Sequence, residues 1–159
     1  MADRDEQDLI DLSEDYPDWV FQHMPEASPA WEARRETSTL PATGGHMWIG
    51  AATARDLMGL LDAALTAEAR IATGPAARTH LEALRLRAAG AGWRADLDWR
   101  VLMLIAPGTT GTVVVTCGPR VDDDDKFWFF DGAGLPIVEA DNVVDALVVL
   151  GGRAVTRGE

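Results

Sequence analysis

Cysteine, lysine and long apolar runs are what this sequence has least of, and each scarcity removes a class of protein. A single cysteine, Cys117, leaves no internal disulfide to form. The longest apolar run, VLMLIAP at 101–107, falls far short of the roughly 18 residues that span a bilayer. Basic residues number 14 against 26 acidic ones, and only Lys126 among the 14 is a lysine. The formal charge of −12 works against binding to nucleic-acid phosphates or to an anionic membrane, both of which need a basic surface to displace counterions. A basic partner is favoured instead. The opening stretch MADRDEQDLIDLSEDYPDW is acidic where an export signal is basic and then apolar. Together with the unpaired cysteine this predicts a reducing, cytoplasmic location. The bias towards Arg, Ala and Gly is that of a GC-rich bacterial genome.

What is present suits a globular chain. With 159 residues, 47% apolar and 25% charged, the sequence can build one well-cored domain, and residues 1–159 are read as a single α/β domain. Residues 113–116 and 127–130 are dense β-branched or aromatic runs bounded by Gly, Pro and Asp, as buried strands are. Residues 101–105 are apolar throughout and predict a strand covered on both faces. Just before it, Trp93, Ala95 and Leu97 alternate with Arg94, Asp96 and Asp98, as on a half-buried strand. These four make a meander. A helix over 53–70 shows an apolar stripe of Leu57, Leu60, Leu61, Ala64 and Leu65, and Gly74-Pro75 is expected to stop it. A second helix, 76–89, turns Ala77, Leu81, Leu84 and Ala88 inward before Gly90 and Gly92, and a third starts at Asp141 and carries Val143, Val144, Leu147 and Val148. Upstream, an acidic helix at 6–14 precedes three weaker strands, 19–22, 31–35 and 47–49.

The predicted fold class is therefore α+β: mainly antiparallel sheet with amphipathic helices packed on it. Its element order, helix, strands, helix, occurs twice. Residues 1–72 and 75–155 read either as degenerate tandem repeats forming a pseudo-twofold domain or as two instances of a common pattern. A Pro-x-Trp, then WEARR and an amphipathic helix in the first half, with GWRADL, VTCGP, FWFF and GLPIVEADNVVDAL in the second, resemble small acidic α/β proteins of actinobacteria, often encoded near transcriptional regulators. That resemblance implies a fold and a cytoplasmic location. It carries no activity.

The stretch VDDDDKFWFFDG concentrates the candidate site residues. Counted from Asp122, the sixth position of a calcium loop would be Phe127 rather than Gly, and four adjacent aspartates on a turn diverge and repel, so Asp122, Asp123, Asp124 and Asp125 read as a turn that also discourages edge pairing of the sticky strand after it. In that strand Phe127 and Phe129 share one face, and Trp128 and Phe130 the other. Either both faces are covered, or one aromatic pair is an interface. His23, His46 and His80 lack metal-site spacing, Cys117 reads as a small buried thiol, and no serine sits in a G-x-S-x-G elbow. PGTTGT at 107–112 lacks the Gly-Lys-Ser/Thr of a phosphate loop and reads as a hairpin loop. LPATGG at 40–45 matches a wall-sorting signal, yet the apolar segment and basic tail that make one work do not follow it, and GGHM reads as a Gly-rich loop.

No catalytic residue, metal or cofactor is predicted. The expected function is that of a non-catalytic, protein-binding accessory or regulatory factor that meets a basic or apolar-patch partner, or a second copy as a homodimer, through Phe127–Phe130 and the aspartates. The alternative is an enzyme or small-molecule-binding domain using a cleft between the two halves. A cleft uniting His46, Cys117 and an aspartate would favour that alternative.

Overall fold

A computed structural model describes residues 2–41 and 43–157; Ala42, inside the LPATGG stretch, lies outside the described residues. The first half runs α1 (Ala2–Asp15), β1 (Trp19–His23), β2 (Trp31–Arg35), β3 (Trp48–Ala51) and α2 (Ala54–Arg70). Its strands form an antiparallel sheet in chain order. Strand alternation turns Trp31, Ala33 and Arg35 of β2 inward. The two apolar members join Leu12, Trp19 and Ile49 and the α2 stripe Leu57, Leu61 and Ala64 in one core. Thr53 caps α2, its side chain accepting a hydrogen bond from the Asp56 N–H at 3.1 Å.

The second half runs α3 (Gly74–Gly90), β4 (Arg94–Leu97), β5 (Leu102–Ile105), β6 (Val113–Arg120), β7 (Lys126–Asp131), β8 (Pro136–Glu139) and α4 (Val143–Arg157). The five strands form an antiparallel meander in chain order, with residues 107–112 as the β5–β6 hairpin loop. Its core joins Leu81 and Leu84 of α3, Leu102, Leu104, Val113, Val115 and Phe129 of the sheet, and Ala146 and Leu150 of α4. The architecture is the α+β arrangement expected, as two antiparallel sheets with helices packed on them.

Several expectations are corrected. The meander has a fifth strand, β8, at its edge. Pro75 opens α3 instead of only closing α2, since a first-turn proline lacks an N–H that would have had no partner there. Strand β5 is covered on one face alone: Leu102 and Leu104 are buried, and Met103 is 40% exposed. Strand β7 is flanked by β6 and β8, so the aspartates before it guard no open edge.

Both faces of β7 are covered. Phe129 belongs to the core under α3 and α4, with Phe127 packed beside it. Phe130, on the opposite face, meets Leu40, Met47 and Trp48 of the first half, with Trp128 and Leu135 alongside. Phe129 and Phe130 are fully buried, and Phe127 and Trp128 half-buried. The aromatic strand thus joins the halves of its own chain, each of its faces carrying one fully buried and one half-buried aromatic side chain. No helix among the described residues is long and apolar enough to cross a membrane.

Candidate functional site

The four aspartates form the turn between β6 and β7, with Asp124 and Asp125 both left-handed at φ 52° and 56°, a region that Asp tolerates better than most residues. They diverge, as expected, but two of them accept side-chain hydrogen bonds and a third faces the first half. Asp122 holds the Arg120 guanidinium in a two-point pair at 2.6 and 2.9 Å. That guanidinium lies between the rings of Trp48 and Trp128, 4.7 and 4.4 Å from their centroids. Asp123 accepts from the Trp128 indole N–H at 2.8 Å. Asp125 reaches across to the first half, where its Oδ1 lies 3.5 Å from His46 Nε2.

His46 is brought there by the Gly-rich loop before β3. Gly44 sits at φ +97° with its Cα facing the backbone of Gly74, where any side chain would overlap, and the Gly74 N–H donates to the Thr43 carbonyl at 2.7 Å. The next residue, Gly45, is pressed by its carbonyl against Gly118 of β6, again with no room for a Cβ. The two halves therefore meet backbone to backbone at this point, and His46 follows immediately.

Around His46 lies a buried charged cluster. Glu68, on α2, accepts three hydrogen bonds at Oε1: from the His46 backbone N–H at 2.7 Å, from Arg35 Nη1 at 2.9 Å and from His46 Nδ1 at 3.1 Å. Its Oε2 accepts from Arg35 Nη2 at 3.0 Å. Arg35 also donates to the His46 carbonyl at 3.1 Å and stacks over Trp19 at 4.5 Å. The side chains of Arg35, His46 and Glu68 are 3%, 5% and 7% exposed. Burial pushes the Glu68 carboxyl up, but the hydrogen bonds from His46 and Arg35 and the Arg35 charge outweigh it and hold the group at about 2.

An ionised Glu68 can only accept, so the proton on the His46 ring must sit on Nδ1. In the neutral ring Nε2 then presents its lone pair to the opposite side, 3.5 Å from Asp125 Oδ1. It is buried and finds no hydrogen-bond partner among the described residues. On that side lies a cleft of about 350 Å³, lined by Ala67 and Glu68 of α2, the 71–73 link, Ala76 of α3, His46, and Pro119, Asp125 and Phe127 of the β6–β7 hairpin. Thr73 Oγ1, at the cleft wall, is likewise buried without a partner. The arrangement can accept a hydrogen bond from a bound molecule, or take a proton from it, at an imidazole nitrogen whose orientation is fixed. Among the described residues no group of three or more His, Cys, Asp or Glu is placed to hold a metal ion.

Of the residues singled out in the sequence, His46 and Asp125 come together, with Phe127 on the same cleft. Cys117 does not join them: it faces the apolar core of the second half, where burial pushes its thiol far up. His23 stacks on Trp31 at 4.2 Å, and His80 stacks on Phe127 at 5.3 Å. Arg35 and Glu68 belong to the site without being marked by any motif. Their signal is phase: Glu68 falls four residues after Ala64 on the buried stripe of α2, and Arg35 two after Ala33 on the inward face of β2. A charge in a buried phase needs a partner.

No family model matches the chain, and neither a curated protein nor a solved structure does.

Proposed function

We propose that the chain is a small-molecule-binding domain whose ligand occupies the cleft between the 71–73 link with the first turn of α3 and the β6–β7 hairpin, with His46 as its fixed polar anchor. One observation carries this reading: His46 Nε2 is buried and unpartnered at the cleft wall, while every other polar atom of that residue is tied down by Glu68 and Arg35. Buried polar atoms are nearly always satisfied, and an exception lining an apolar cavity is what a binding site looks like without its ligand. Of the aromatic strand, Phe129 and Phe130 are committed to the core, and Phe127 and Trp128 are half-buried.

The test is a library screen by thermal unfolding, run in parallel on the Ala76→Trp variant. Ala76 is exposed on the first turn of α3, so an indole there fills the cleft without entering the core. Ligands are expected to raise the midpoint of the natural chain and to leave that of the variant unmoved. Hits that stabilise both equally, or no hits at all, would reject the site.

A further inference from the structure

Two carboxylates, Glu68 and Asp125, line the cleft, and no lysine or arginine does so among the described residues. Arg35, which neutralises Glu68, lies outside the lining, and two of its N–H groups are committed to that carboxylate. The polar end of the cleft is therefore made of acceptors. Nε2 of the neutral ring and the Asp125 carboxylate stand 3.5 Å apart, two acceptors that call for a shared donor, either a proton on the ring or a cationic group placed between them. Beyond them the wall is carbon: Ala67, Ile71, Ala76, Pro119 and Phe127. The chain's charge of −12 further raises the local concentration of cations.

We infer that the ligand is an organic monocation, a primary amine on an apolar body, whose ammonium donates to His46 Nε2 and Asp125 Oδ1 together. An ammonium carries three donors and no acceptor, which matches a site of acceptors only. Thr73 Oγ1, which can also accept, lies on the wall of the same cleft. A carboxylate or phosphate ligand would meet two negative charges and no counter-charge, and a metal ion would find only Nε2 and one carboxylate free. This inference rests on the reading of the cleft as a ligand site, and the test separates the two.

Calorimetric titration of the full chain with phenethylamine, phenethyl alcohol and phenylacetate compares three head groups on one apolar body. The amine is expected to bind at least about tenfold more tightly than the alcohol, the value of one charge-assisted hydrogen bond, with phenylacetate weaker still. In Asp125→Asn, where asparagine suits the left-handed backbone and the side chain is 71% exposed, the amine should lose about tenfold and the alcohol little. If the alcohol or phenylacetate binds as tightly as the amine and Ala76→Trp abolishes that binding, the cleft stands and the amine is wrong. The amine is equally wrong if Asp125→Asn leaves its affinity unchanged. If none of the three binds, or Ala76→Trp changes nothing, both readings fall.

Discussion

Around Leu104 the larger half buries carbon against carbon: Leu81, Leu84, Leu102, Val115, Phe129 and Leu150 surround it, all 0% exposed. At comparable depth the smaller half buries a guanidinium, an imidazole and a carboxylate. A buried ion pair is weak as a stability device, since desolvating the charges offsets most of their attraction and well-packed apolar side chains often do as well or better. A charged cluster held where leucines would serve is therefore better read as a device for orienting His46. The larger half supplies the apolar core and, with Asp125 and Phe127, one wall of the cleft, and the smaller half supplies the oriented imidazole, at a border where the two backbones touch.

The contrast can be broken most forcefully from the apolar side. Phe129→Ala should cost about 4 kcal/mol in urea denaturation, and by the same amount at pH 7 and pH 4, because only packing is lost. Glu68→Gln should cost about 3 kcal/mol at pH 7, with a different signature. Because the folded-state value of Glu68 lies at about 2 and the ordinary value is 4.5, its contribution is complete above pH 4.5 and is lost as pH falls towards 2. The natural chain should thus converge on the glutamine variant in acid. A penalty for Glu68→Gln that stays constant from pH 7 to pH 3 would erase the distinction between the halves. Gly118→Ala, which puts a methyl group onto the Gly45 carbonyl, should cost about 2 kcal/mol and weaken cleft binding at the same time, a coupling that Phe129→Ala need not show. Smallest of all, Asp122→Asn should change stability by less than about 1 kcal/mol, because Arg120 keeps its place between Trp48 and Trp128 by stacking.

Where local pattern decides structure, the sequence is readable. The stripe Leu57, Leu61 and Ala64, the alternation of β4 and the dense run of β7 each state their element through one period. Strand β8 escapes because it is four residues long and begins with proline, tolerable only since it lies at the sheet edge. For β5, an unbroken apolar run cannot tell a strand covered on both faces from one that leaves Met103 in water. The site is the least legible part. Arg35, His46 and Glu68 are separated by 11 and 22 positions and sit on a strand, a loop and a helix, so only tertiary closure brings them together. Asp125 stands out in the sequence for its run of charge, and its role follows instead from which residue it faces across the cleft.

The contact of Gly45 with Gly118 has a kinetic consequence. Two backbones that touch with no side chain between them have no compliant layer through which one half could rock against the other. The cleft is then a gauge of set width, unable to clamp down on what it holds. Admission and escape must depend on single side chains at the rim, namely the 64% exposed Ile71 and the 71% exposed Asp125, which reorient in picoseconds to nanoseconds. Association should accordingly be one bimolecular step, linear in ligand concentration and free of the slow closing phase seen in hinged binders, so that differences in affinity among ligands appear almost wholly in how fast they leave.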